Sequence, residues 1–194
     1  MLVSGARYGF LRSMMTSILR ACAALFLVTG CASKAQLTYE PANEVQGSGP
    51  MGLRGFVYGP AEAGQVKPNQ SQVVGAPVKG ELYTEDVSVF FERALQMELE
   101  KSGYQLSGVA ERNLTGRIEA FGIDHSPKQN RIDAIVQVNF QVQKGSQTQF
   151  EYLSTASKEF RTKIGGKTTK DMLVELTQVC IAQFLAEARA QNQL

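Results

Sequence analysis

Arg131-Ile132-Asp133-Ala134-Ile135-Val136-Gln137-Val138-Asn139-Phe140-Gln141-Val142-Gln143-Lys144 decides the fold of this chain. Ile132, Ala134, Val136, Val138, Phe140 and Val142 alternate with Asp133, Ile135, Gln137, Asn139, Gln141 and Gln143. In a strand successive side chains point to opposite faces, so this period of two predicts one buried face and one neutral face lined mostly by amides. Gly145-Ser146 then predicts a hairpin turn to a second strand around Phe150-Glu151-Tyr152-Leu153. Upstream, Asn113–Phe121 reads as the preceding strand, entered from Tyr104-Gln105-Leu106 through a turn. Leu53–Tyr58 reads as the first strand, stopped by Gly59-Pro60. Residues 61–80 read as a long loop in which Val73-Val74 can pair as a small strand.

Two segments carry a helical period instead. In Glu85–Ser102 the apolar residues Val87, Phe90, Phe91, Ala94, Leu95 and Leu99 recur every three or four positions, with Thr84 as N-cap and Gly103 past the end. Glu98 and Glu100 read as part of that helix's solvent side. From Thr169 to Ala190 a second stripe runs through Met172, Leu173, Leu176, Val179, Cys180, Phe184, Leu185 and Ala188, opened by a Thr168/Asp171 capping box. The expected class is α+β: an antiparallel sheet of about four strands, with two amphipathic helices packed on one face.

The N-terminus carries a different signal. Val28-Thr29-Gly30-Cys31 follows the apolar run Ala21–Leu27, after Arg7, Arg12 and Arg20 and with no acidic residue before Cys31. A positive region, a short apolar core and small residues before a cleavage point are the order of a secretory signal. The ending resembles a bacterial lipobox, which implies cleavage between Gly30 and Cys31 and lipidation of the Cys31 thiol. Only ten residues separate Arg20 from Cys31, too few for the roughly 20 apolar residues of a membrane span. Met14 and Met15 are alternative starts to Met1. The organisation expected is a signal peptide over 1–30, a flexible tether over 31–50, and one domain over 51–194. A short edge strand through Leu37-Thr38-Tyr39 is the alternative within the tether.

Cleavage also resolves the charge. The whole chain is +2, but three of its 20 basic residues and none of its 18 acidic ones precede Cys31. The mature chain carries −1, which gives no electrostatic reason for a nucleic-acid partner. Cys22 leaves with the signal and Cys31 takes lipid, so Cys180 is left without a disulfide partner.

Chemistry-bearing motifs are few. Gly165-Gly166-Lys167-Thr168 ends like a phosphate loop, but Arg161 stands where that loop needs its first glycine. His125 is the chain's one histidine, which excludes multi-histidine metal sites. Asp124 beside it reads as turn chemistry with Ser126-Pro127, and no nucleophile is tied to the pair by a known motif. Cys180 lies inside an apolar stripe and reads as an inert core thiol. No enzyme, cofactor or metal site is expected.

The lipobox, the stretch Val89-Phe90-Phe91-Glu92-Arg93-Ala94-Leu95 through Leu99, Gly103 and Tyr104, the run Leu114-Thr115-Gly116-Arg117-Ile118, the alternating Ile132–Phe140 strand and the closing amphipathic helix together resemble small Gram-negative lipoproteins of the YajG type. That resemblance is one of pattern over most of the mature chain. It implies an outer-membrane-anchored, periplasm-facing protein without known catalysis, and transfers no functional residues. Similar patterns occur in lipoprotein subunits that assist envelope lipid transport, but this chain has no tryptophan and lacks their arginine-tryptophan signature. Ala32, not aspartate, follows Cys31, which points to the outer membrane. The expected partners are the membrane, through the lipid anchor, and another envelope protein, met through Gln137, Asn139 and Gln141. The alternative expectation is a lipid- or glycolipid-handling auxiliary subunit using a groove between sheet and helices.

Overall fold

The computed structural model describes residues 34–42, 46–77, 79–126, 131–160 and 168–194. In chain order the elements are β1 (Pro50–Tyr58), α1 (Gly59–Glu62), β2 (Gln72–Val74), α2 (Val87–Lys101), β3 (Gln105–Leu106), β4 (Arg112–Ser126), β5 (Arg131–Lys144), β6 (Gln147–Phe160) and α3 (Thr169–Ala190). The decisive stretch is β5, and it occupies the interior of a sheet ordered β3-β1-β4-β5-β6, with β2 also on β4.

The α+β class holds, and the finer expectation is corrected. The described sheet has six strands and is mixed. β4, β5 and β6 form the antiparallel meander read from the sequence, while β1 runs parallel to both β3 and β4, and β2 runs parallel to β4. The cause is α2. A helix between β1 and β4 returns the chain to the end where β1 began, so the next strand must run the same way. Gly59-Pro60 does not simply stop β1 but opens the four-residue α1, with proline near its start where no backbone N–H is needed.

Both long helices do lie on one face of the sheet. Phe121 of β4 meets Phe90 and Phe91 of α2 at ring separations of 6.2 and 5.8 Å. Phe140 of β5 stacks on Phe184 of α3 at 4.4 Å and 12°. Phe121 lies opposite Val136, and Ile118 opposite Val138, so these residues share a face. Ala134, Val136, Val138, Phe140 and Val142 are all buried there, as the alternation requires. Each fully buried large apolar side chain contributes about 1.5–3 kcal/mol of transfer free energy.

Helix ends follow local chemistry with one exception. Thr168 and Asp171 form the expected capping box, each side chain meeting the other's backbone. α2 instead starts at Val87, with Asp86 rather than Thr84 as N-cap and no side-chain cap bond. The Val87 N–H donates to Pro68 O at 2.9 Å, so the connection between α1 and β2, not a cap, satisfies that end. Gly103 takes φ +93° just past the C-cap, as expected.

Part of the stretch read as tether carries core residues. Leu37 is fully buried and Tyr39 is 5% exposed. Ala35 N–H donates to Leu82 O, and Thr84 N–H donates back to Ala35 O. Composition hides this because only two apolar side chains in residues 34–42 fill the gap beside α2. Cys31, Gly30 and the signal segment lie outside the described residues, as does Gly165-Gly166-Lys167.

Candidate functional site

The strand face named from the sequence is the exposed face of the sheet. Asp133, Ile135, Gln137, Asn139, Gln141 and Gln143 of β5 are all half-buried, on the side away from α2 and α3. Register supplies their neighbours. Gln137 lies between Ala120 and Thr155, Asn139 between Arg117 and Leu153, and Gln141 between Thr115 and Glu151.

These groups are tied to one another. Gln137 Nε2 donates to Thr155 Oγ1 at 3.0 Å, Asn139 Nδ2 donates to the Glu151 carboxylate, and Gln143 Nε2 donates to Gln141 Oε1 at 3.3 Å. Gln137–Thr155 and Asn139–Glu151 are cross-strand pairs, the unit of sheet stabilisation, and the Gln143–Gln141 bond runs along β5, so the three predicted residues serve the sheet as well as any partner. Arg117 is held by Glu62 of α1 at 2.6 Å and by Glu119 at 3.4 Å. The face is therefore not neutral, as one strand implied. β4 and β6 bring Arg117 and Glu151 beside the amides, and β6 brings Leu153, which is 54% exposed. Alternation within β4 and β6 marks these residues as candidates, but only register shows that they flank Asn139.

The other chemistry-bearing residues do not assemble. Asp124 and His125 are consecutive in β4, paired with Asp133 and Ile132 respectively, and so project to opposite faces. Cys180 is buried, its Sγ donating to Val136 O at 3.4 Å. Burial pushes its thiol pKa up to about 11, which keeps it protonated and inert, as expected. Among the described residues no cluster of His, Cys, Asp and Glu could hold a metal ion. Among them, too, no helix is long and apolar enough to cross a membrane.

Sequence reasoning missed one buried ionisable group. Glu98, read as solvent-facing, is fully buried. Its Oε1 accepts from Tyr39 Oη at 2.7 Å and from Ala42 N–H at 2.8 Å. It sits three residues after Leu95 and one before Leu99, within reach of the apolar stripe, and that position was the available signal. Burial first, and then the bond to Glu98, pushes the Tyr39 hydroxyl far above its ordinary pKa, so it remains a donor. The same strap is held at Leu37 O by Arg93 at 3.1 Å, at Pro41 O by Lys101 at 2.9 Å, and at Glu40 O by Gln178 at 2.7 Å.

Among the described residues, clefts lie at the margins of the sheet. One of about 290 Å³ is lined by Tyr104, Arg112 and Leu194 among others. One of about 350 Å³ is lined by Val66, Lys67, Gln70, Lys79 and Leu82, and one of about 360 Å³ by Ser71, Glu81, Ile123 and Thr168. Neither Asp124 nor His125 lines any of them.

No family model and no curated protein matches the chain. Solved structures do. A DUF330 protein from Xanthomonas campestris is similar at 11% identity and TM-score 0.58, over 80% of this chain and 91% of its own. An uncharacterised protein is similar at 10% identity and TM-score 0.51, over 80% of this chain and 99% of its own. A minor lipoprotein from Acinetobacter baumannii reaches 16% identity over 75% of this chain and 94% of its own, with a TM-score of 0.40. At such identities the likeness is one of fold. The chain shares its fold with the DUF330 protein.

Proposed function

We propose that the chain is a lipid-anchored envelope lipoprotein, of the YajG type, held by Cys31 to the outer membrane. Its periplasmic domain acts as a non-catalytic binding or assembly module. The observation that supports this best is the exposed sheet face. With one face covered by α2 and α3, the other presents Gln137, Asn139, Gln141, Arg117 and Glu151 around Leu153. Polar groups around an exposed apolar side chain suit a partner surface that must also tolerate water. No side chain is given a catalytic role, since Asp124 and His125 point apart and Cys180 is a core thiol. The lipid-handling alternative places a ligand between sheet and helices. That space is filled by Phe140 stacked on Phe184 and by Phe121 against Phe90 and Phe91.

The test is crosslinking of the lipidated protein in intact envelopes, comparing the native chain with one carrying Gln137→Lys, Asn139→Lys and Gln141→Lys. Loss of a specific adduct with an unchanged melting temperature supports the reading. An adduct that survives all three lysines refutes it.

A further inference from the structure

The strap over residues 34–42 fixes where the chain enters the domain. Lys34 precedes Ala35, which is hydrogen-bonded at both N–H and C=O to Leu82 and Thr84. Leu37, Tyr39, Glu40 and Pro41 are then bound in turn along α2 and α3. Only three peptide links separate Cys31 from Lys34, and at most about 3.5 Å per residue gives a reach of about 10 Å. Seven hydrogen bonds and a buried leucine make the entry point a fixed place on the surface, not the end of a long leash.

That place belongs to one end of the sheet. Leu82 pairs with Gln70, and the neighbouring β2 pairs with Gly122–Asp124 of β4. The turn bearing Val109 precedes Arg112, at the other end of β4. Ten residues at about 3.3 Å each put Arg112 about 33 Å from Gly122 along the strand, several times the reach from Cys31. Lys34, Lys67 and Lys79 are exposed at the entry end, and Lys67 and Lys79 line a cleft that has no carboxylate in its wall. Glu81, Asp86, Asp124, Glu159 and Asp171 are exposed acidic groups near this end, and Glu85 is paired with Arg93.

We propose that this end of the domain, with the Lys67/Lys79 cleft and the β2 edge, lies against the phospholipid leaflet that holds the Cys31 acyl chains. The inference rests on lipidation of Cys31 and adds an orientation to it. Chain length sets the face, and the two cleft lysines favour anionic headgroups over neutral ones within a Debye length of the surface. The end bearing Val109 points away from the membrane, and the exposed sheet face stands clear of the lipid, open to a partner.

The experiment uses the lipidated full chain in phosphatidylethanolamine–phosphatidylglycerol vesicles. A fluorophore is attached at Val74→Cys or at Val109→Cys, both exposed positions, while buried Cys180 stays unlabelled. Brominated phospholipid is expected to quench the label at 74 severalfold more than the label at 109. Adding Lys67→Glu with Lys79→Glu is expected to reduce quenching at 74 at low salt. Equal quenching at the two positions in a chain that mass spectrometry shows to be lipidated overturns the orientation alone. A chain without acyl groups that does not float with vesicles overturns the anchor and the orientation together.

Discussion

Replacing Glu98 tests whether a buried carboxylate fastens the N-terminal strap to α2. Glu98→Ala removes the acceptor from Tyr39 Oη, which is buried, and from Ala42 N–H, which is partly buried. Hydrogen bonds to a charged group contribute about 1.5–3 kcal/mol each, and a buried donor left without a partner costs about 1–3 kcal/mol. Ala42 N–H can recover water when the strap lifts, so the expected loss is about 2–4 kcal/mol, not the full sum. For a domain of this size each kcal/mol lowers the melting temperature by about 2–4 °C, which predicts a fall of roughly 4–16 °C. Glu98→Gln keeps the shape and an acceptor oxygen while removing the charge, and is expected to cost about 1 kcal/mol. The assay is thermal unfolding followed by circular dichroism, run as a double-mutant cycle with Tyr39→Phe. Coupling of about 1.5–3 kcal/mol is expected. Additivity within about 0.5 kcal/mol would mean that the two groups stabilise the domain independently, and would refute the clamp.

Alkaline titration should separate the tyrosines. Burial raises the hydroxyls of Tyr39, Tyr58 and Tyr83, the last to about 12, so the stability they carry is complete below pH 10 and is lost as pH rises through the folded-state values. Phenolate absorbance should therefore show these three silent at pH 11 and appearing only with unfolding; their early titration in a folded chain would contradict the burial. Gly116→Ala is expected to cost about 1–3 kcal/mol, because a Cβ there would stand 2.3 Å from the Phe56 ring, which leans over that glycine toward Phe140. Chemical denaturation measures it, and an unchanged midpoint would show that Phe56 moves aside freely.

Much of the sheet was legible because its evidence is local. Residues 131–144 alternate without a break, and the Gly145-Ser146 turn leaves β6 nowhere to go but back along β5. The Thr168/Asp171 box and its apolar stripe likewise placed α3 within its own segment. The parallel strands were not legible. Whether β1 pairs beside β4 depends on where α2 returns the chain, and no window of sequence contains both. The candidate face divides the same way. Gln137, Asn139 and Gln141 follow from period two, whereas Arg117, Glu151 and Leu153 join them through pairings between separate strands.

The α+β class, the central antiparallel meander, both long helices and the inert setting of Cys180 were legible in the sequence alone; the lipobox reading of Cys31 also comes from sequence alone, and Cys31 lies outside the described residues. Those rest on periodicity, on turn and cap chemistry, and on a short motif, all of which act between near neighbours. Only the tertiary structure decided that Glu98 is buried, that residues 34–42 are a strap, and which end of the sheet the chain enters. A short polar segment has no period to betray it. Its place is fixed by Glu98, Arg93, Lys101 and Gln178, groups more than fifty residues away that meet it only once the helices have packed.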